Sequence, residues 1–535
     1  MKGKSFLFFL LLLPFTINAQ KHVFSTSVKA QEIKALFEDD ERLDAAVEWC
    51  RTNGIEKIYL ETFRFGYLVE GPLLRRVKQR FEAAGIKTAG LVTPTMIAKP
   101  STGWNAVCCY TDEETQKRTR NIFEFTAKHF DIILIDDFWF TDCKCNACDS
   151  ARKAKQVTVE GETYPVTDTG WGSYRRELMA RLAEKCVIST CRDVNSRSCV
   201  ILKFPCWYDT YQDRGYDPIR AIRLFDAIWV GTETRDYNWK DKKGRPQPAA
   251  FFLMGWLLSV GGEKCEGAWF DPLWTTPATY VEQARFSILG GAKESLLHSY
   301  GYLTLTEDEG RKLANDDVVA KKKLKGVGGM GTPNGKADFE ALMREMPRLQ
   351  ELAEETAKRK LTGIAAYKPV NSNGGEDSGY FNLLGMTGLP LLPCSEFTQD
   401  APAACFTGYA LEIPDAVVHI NDYIETGRPT LISGYLAKTL GNKLYLSASN
   451  VMVLPTEKSP WHLLDMSQEQ LQALHTMVLK PLGITKYKAP NHVGMVLFTD
   501  GSYVLSNFQN TPVTVTKGST VHTIPPRGFI SKWTD

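Results

Sequence analysis

The 535-residue chain is short of net charge. Its 64 Lys and Arg face 62 Asp and Glu, leaving +2 at neutral pH. That balance gives no basic surface of the kind that nucleic acid or an acidic membrane requires. Beyond residue 19 there is no apolar run long enough to cross a bilayer, so no membrane insertion is expected. No strong internal repeat is visible. No nucleophile elbow stands out either, because Cys394 is followed by Ser-Glu rather than by glycine. The 13 cysteines are odd in number and mostly scattered, which is not a small-scaffold disulfide framework. Most of the scattered ones read as buried, inert thiols.

What is present begins with a targeting signal. Lys2 and Lys4 precede an apolar stretch over 6–15, and Asn18-Ala19 offers a small-residue cut site. Residues 1–19 therefore read as a cleavable signal peptide. No cysteine sits at the cut, which argues against a lipid anchor. The expected location is secreted or periplasmic.

From residue 22 the pattern alternates. Strand-like runs fall at 23–27, 57–63, 87–93, 132–137, 200–207, 227–235, 267–271 and 294–300. Helical periodicity falls at 41–53, 73–84, 114–130, 174–186, 218–225, 249–260, 277–289 and 340–359. Eight such units predict an α/β fold, a (β/α)8 TIM barrel over 20–360, in preference to a doubly wound sheet. Residues 321–335, basic and then Gly-rich, read as a solvated loop. Beyond the barrel, strands and one helix predict a small α/β domain over 361–440. The rest, 441–535, predicts a C-terminal β-sandwich with a helix at 467–479. It also holds a hairpin whose Asp500-Gly501 pair signals a type I′ turn.

The most informative segment is 132–148. Four apolar residues end in Asp136-Asp137, aromatic residues follow, and Cys143, Cys145 and Cys148 close it. Carboxylates at the end of a buried strand are costly unless chemistry uses them. The other predicted strand ends carry Glu61, Lys203, Glu233 with Arg235, Asp271, and His298 with Tyr300. A ring of acids with few cations fits glycoside hydrolysis, which needs two carboxyl groups flanking the scissile bond. Glu233 is the best-placed glutamate, so Asp137 and Glu233 are the leading pair, with Asp136 and Asp271 as further catalytic candidates. Side chains alternate along a strand, so one of Asp136 and Asp137 should act and the other support it. Glu61, Trp139, Trp207, Tyr208, Arg235, His298 and Tyr300 are the expected substrate contacts. Glu61 has a second reading as an ion-pair partner of Arg64. The three clustered thiols, with Cys108 or Cys109 as a fourth, match a closed structural zinc site. One disulfide with buried thiols is the alternative. No histidine lies beside them, and no organic cofactor is implied.

This organisation resembles glycoside hydrolase family 42, the β-galactosidases. The resemblance implies a (β/α)8 barrel, an α/β domain that trimerises, and a small C-terminal β domain. It implies a zinc bound by Cys143, Cys145 and Cys148 with an earlier cysteine, Cys109 here. The family's acid/base Glu falls on Asp137 and the preceding Asn on Asp136. Its nucleophile ends strand seven, where this chain offers Asp271. A second resemblance, by strand position alone, is to the α-galactosidase clan, which places an Asp nucleophile on strand four and an acid/base on strand six, a layout that Asp137 and Glu233 would satisfy. The expected activity is glycosidic-bond cleavage in oligo- or polysaccharides, β-galactosidase-like or α-glycosidase-like. The competing readings are a non-catalytic carbohydrate-binding protein on the same scaffold, and a different barrel enzyme such as a lyase or metal hydrolase.

Overall fold

The computed structural model describes residues 21–238, 244–316 and 329–534. Residues 1–19, expected as a signal peptide, and residues 321–328 of the expected loop lie outside the described residues. Eight parallel strands make the amino-terminal sheet: β1 Val23–Val28, β2 Lys57–Arg64, β3 Lys87–Val92, β4 Ile132–Ile135, β5 Cys199–Phe204, β6 Ala227–Gly231, β7 Cys265–Phe270 and β8 Glu294–Leu297. β1 pairs with both β2 and β8, so the sheet closes into the predicted TIM barrel. Alternation along each strand sends one set of side chains inward. Tyr59, Leu91, Leu134, Ile201, Trp229, Trp269 and Leu296 fill the barrel with a packed interior. Gly267 leaves room for this filling, since a Cβ there would stand 2.2 Å from the Trp229 ring.

Two barrel helices, Pro248–Gly261 and Pro277–Leu289, have hardly an exposed face. An apolar helix of this kind needs cover on every side, and the carboxyl-terminal third supplies it. The Trp256 indole donates to Lys368 O at 2.7 Å, Phe252 stacks on Phe381, and Phe286 meets Phe508.

That third contains β9 Ile364–Tyr367, β10 Thr387–Cys394, β11 Ala404–Phe406, β12 Thr430–Ser433, β13 Val451–Leu454, β14 Val493–Phe498, β15 Tyr503–Asn507 and β16 Phe529–Lys532. They form one mixed sheet in the order β13-β12-β11-β9-β10-β14-β15-β16. β10 pairs in parallel with β14, and β12 with β13, so the sheet runs across the boundary expected at 440. Strands Val513–Lys517 and Thr520–Ile524, within the expected sandwich, belong to a separate three-stranded sheet, joined to the large one where the Tyr503 hydroxyl meets His522. The hairpin at Asp500-Gly501 differs from expectation in its turn. Gly501 has φ +88° but Asp500 is not left-handed, whereas a type I′ turn needs positive φ at both central residues. The connection is a three-residue loop closed by Gly501 N–H to Phe498 O. No helix among the described residues is long and apolar enough to cross a membrane.

Candidate active site

The centre of the site is a lysine. Alternation on β5 points Ile201 and then Lys203 into the barrel, and Lys203 is 1% exposed. Its Nζ lies 3.2 Å from Asp136 Oδ1, 3.1 Å from Asp137 Oδ2 and 2.7 Å from Glu233 Oε1. The Trp269 ring lies beneath it, 4.1 Å from Nζ. β4 ends at Ile135, so the pleat no longer dictates direction at Asp136 and Asp137, and both reach Lys203. The expectation that only one would face the interior fails for that reason.

A second cation backs the first. Arg64 donates to Glu61 Oε1 and Thr93 Oγ1, both at 3.1 Å, and stands 3.7 Å from Asp136 Oδ2. Thr93 bonds to Glu61 and, at 3.0 Å, to Asp136 Oδ2.

The carboxyls differ in what remains uncommitted. Asp136 gives Oδ1 to Lys203 and Asp137 N, and Oδ2 to Thr93 and Arg64. Glu61 gives Oε1 to Arg64 and Thr93 and Oε2 to Ala30 N. It is fully buried, so the expected substrate contact is corrected to a support that holds Arg64. Asp271 gives both oxygens to Arg235 and one also to Leu273 N. It stands outside the Lys203 cluster, which corrects its candidacy as a catalytic acid. Only Asp137 and Glu233 keep an oxygen, Oδ1 and Oε2, that no described residue engages.

Two cations serve four carboxyls here, and burying an unpaired carboxylate costs several kcal/mol. The excess is relieved by retained protons. Burial, reinforced by the Asp136 and Glu233 charges and opposed by Lys203, pushes Asp137 up to about 8. Burial opposes ionisation of Asp136 too, but Lys203 and Arg64 outweigh it and hold Asp136 below the usual carboxylate range. Burial also raises Glu61. Burial alone would lower Lys203, but its three carboxyl neighbours raise it well above the ordinary lysine value.

The opposite wall comes from β8. His298 Nδ1 is 2.7 Å from Ser27 Oγ, and the ring stacks on Trp269. Burial and the surrounding Arg64, Lys29, Lys203 and Arg235 push its pKa far down, so the ring is neutral. Tyr302 meets it edge-on and carries Lys29 Nζ 3.5 Å above its own ring. The expected Tyr300 packs elsewhere, on Phe37 and Trp49. Trp139 is corrected as well: it is buried against Tyr110 and Phe123 as core. Tyr208 is buried and donates to Asn382, tying the barrel to the carboxyl-terminal region. Trp207 stays half-buried at the rim, and Arg235 pairs with Asp271 and stacks on Trp274.

Sequence reasoning missed the part played by Lys203, together with Thr93, Trp269 and Tyr302. Lys203 had a signal: a charge at an inward position of the apolar run 200–204 has to meet acids. Thr93 and Tyr302 had none, since their roles exist only through strands brought together by closure.

The four thiols of Cys109, Cys143, Cys145 and Cys148 converge, with sulfurs within 4.8 Å of one another. Cys109, Cys145 and Cys148 stand 3.6–3.7 Å from one another, sulfur to sulfur. A tetrahedral ion with ~2.3 Å metal–sulfur bonds has edges of ~3.8 Å, so the set fits such an ion. Cys108 turns away and accepts from Ile97 N. A cavity of about 520 Å³ at the amino-terminal end of the barrel, lined by His22, Leu258, Lys293 and Arg359 among others, holds no carboxyl and is remote from this chemistry.

A closed parallel barrel with acids gathered at the carboxyl ends of its strands defines a TIM-barrel protein with its candidate site on the face where such barrels carry their chemistry. The model of the family described as probable glycosyl hydrolase, catalytic domain, matches residues 15–343, and the chain belongs to that family. A relative from Saccharolobus solfataricus, uncharacterized protein SSO3021, is 25% identical over 307 residues, covering 54% of this chain and 50% of that protein. The chain thus spans about half the length of this curated relative. Among solved structures, Gan42B, a GH42 β-galactosidase from G. stearothermophilus, superposes with TM-score 0.61 in a catalytic-mutant form. It covers 96% of this chain and 98% of its own at 8% identity. Another structure of Gan42B gives 0.58. At that identity the likeness is one of fold.

Proposed function

We propose that the protein is a retaining glycoside hydrolase in which Asp137 is the general acid/base and Glu233 the nucleophile. The observation that carries this is the pair of uncommitted oxygens on these two carboxyls and on no other acid of the cluster. Their Lys203-bound oxygens stand 3.1 and 2.7 Å from one nitrogen. They are therefore at most ~6 Å apart, which admits the ~5–5.5 Å of retaining pairs and falls short of the ~6.5–9.5 Å of inverting ones. Asp137 keeps its proton at neutral pH and gives it to the departing glycosidic oxygen. Glu233 attacks the anomeric carbon from the other side. Asp137, now ionised, takes a proton from the water that releases the sugar. Asp136, Glu61, Thr93 and Arg64 position Asp137 and Lys203. Neutral His298 offers Nε2 to a sugar hydroxyl.

The test is hydrolysis of α- and β-linked aryl glycosides and oligosaccharides by wild type, Asp137→Asn and Glu233→Gln. A second reading, a carbohydrate-binding barrel without turnover, is favoured by Lys203, which engages an oxygen of both proposed catalytic groups. Glycan binding with no hydrolysis of any substrate would select it.

We also propose that the four-thiol cluster holds a structural zinc that clamps the loops after β3 and β4, and that residues 1–19 export the chain. Elemental analysis should return one zinc per chain. None in metal-replete protein, with a disulfide found instead, would refute the assignment.

A further inference from the structure

A row of aromatic rings runs along the mouth beside the carboxyls. Phe65 and Phe138 lie beside Arg64, whose guanidinium is 5.2 and 6.0 Å from their ring centres. Phe138 is 5.4 Å from Trp104, Trp104 stacks on Phe140 at 6.2 Å and 22°, and Phe140 meets Trp207 at 5.4 Å. Trp104 is 46% exposed, like Trp461 at 49%, whereas Trp139, Trp229, Trp256 and Trp269 are buried. Its loop is built to hold it. Asp142 Oδ2 accepts from Trp104 N at 2.9 Å and Oδ1 accepts from Ser101 Oγ at 2.5 Å. A Cβ on Gly103 would fall 2.4 Å from the same carboxyl. Asp142 directly precedes Cys143, so the turn carrying Trp104 is fastened to the thiol cluster.

A charge sits at the far end of the row. The Arg214 guanidinium lies 4.7 Å from the Trp207 ring centre and 5.3 Å from that of Phe140. It has no carboxyl partner among the described residues, whereas Arg64 and Arg235 in the same mouth are both paired. A guanidinium stacked on rings keeps its donors for a planar or tetrahedral anion. Buried Tyr216, two residues on, donates to the main-chain O of Asp137 at 2.8 Å, so this end of the row also packs against the segment that carries the acid.

We propose that Trp104, with half-buried Phe138 and Trp207 and backed by buried Phe140, forms a sugar subsite next to the one where the bond is cleaved, and that Arg214 selects there a pyranose bearing an anionic group, a uronate carboxylate or a sulfate ester. The proposal rests on the glycosidase reading. The exposed indole takes the flat C–H face of the sugar, and the arginine takes its charge.

The test is a binding titration of Asp137→Asn protein with length-matched neutral, uronate-containing and sulfated oligosaccharides. It is repeated with Trp104→Ala, Arg214→Ala or Arg214→Lys added, each checked for an unchanged melting temperature. One acidic series should bind ~10-fold more tightly than the neutral one, and which of the two does so identifies the anion. Trp104→Ala should weaken every series by ~10-fold, and Arg214→Ala should abolish the acidic preference, with Arg214→Lys restoring part of it. Equal binding of neutral and acidic series, binding indifferent to Trp104 and Arg214, or no binding of any series would overturn the proposal. Loss of the glycosidase reading looks different: wild type would hydrolyse nothing while the titration still responded to Trp104 and Arg214.

Discussion

At the scale of single residues, the site depends on which carboxyl oxygens remain free. Asp136 and Asp137 are adjacent and chemically identical, yet one is saturated by four partners and the other by Lys203 alone. Removing a general acid typically costs ~10²–10⁴ in rate, so Asp137→Asn should lower kcat by at least ~10² in steady-state assays on an unactivated glycoside. Because Asp137 must carry its proton to act and is pushed up to about 8, kcat/KM should fall on the alkaline side near that value. An activity still level at pH 10 would assign the proton elsewhere. The same shift bears on stability. A carboxyl whose folded value is raised contributes fully below its unfolded value and loses that contribution as pH rises through the folded one. Asp137→Asn should therefore raise the melting temperature at pH 9 more than at pH 5. Lys203 is the converse case. Lys203→Met strands three carboxyls, and breaking a buried pair costs ~3–5 kcal/mol. Denaturant unfolding should show that loss at pH 7, and acidification should partly recover it by protonating the stranded acids.

At the scale of elements, most strands and helices were legible because their periods were clear. The helix Pro277–Leu289 was legible to its last residue, with Pro at its start. Strand ends were less legible, and the site lives there. Reading β4 through Asp137 applied the pleat two residues too far, which is why both acids turned out to reach the lysine. Tyr300, expected at the site, lies away from it for a related reason. A short helix, Tyr300–Thr304, follows β8 and turns the first tyrosine outward onto Trp49. The thiol cluster was legible from spacing for three members. The choice between Cys108 and Cys109 needed the loop's path, since the two neighbours face opposite ways. The clamp predicts that Cys109→Ser loosens both loops. Amide exchange should rise across 101–112 and 140–148 and stay level in the barrel strands, while an unchanged pattern would deny the cluster a structural part.

At the scale of the whole molecule, the barrel stands as expected, and the two regions expected on either side of residue 440 share one continuous sheet. Its order could not be read from sequence because β10 and β14, about a hundred residues apart, become neighbours only through long-range pairing. Cover for two barrel helices comes from this region, through Trp256 to Lys368, Gly255 against Pro393 and Phe286 against Phe508. A chain ending at residue 360 would expose those apolar faces and should be aggregated or markedly less stable than the full chain, as judged by size-exclusion chromatography and thermal melts. A monodisperse fragment with unaltered melting would show that the barrel stands alone. Closure of the barrel is also what gathers β2, β3, β4, β5 and β6 around one lysine, so the site is a property of the complete ring.

The most direct test of the central claim is hydrolysis of a panel of α- and β-linked glycosides by wild type beside Asp137→Asn and Glu233→Gln, with folding verified for each. The account predicts sugar release by wild type that is lost in both variants. Release that persists in either variant, or its absence throughout in folded wild type, would contradict it.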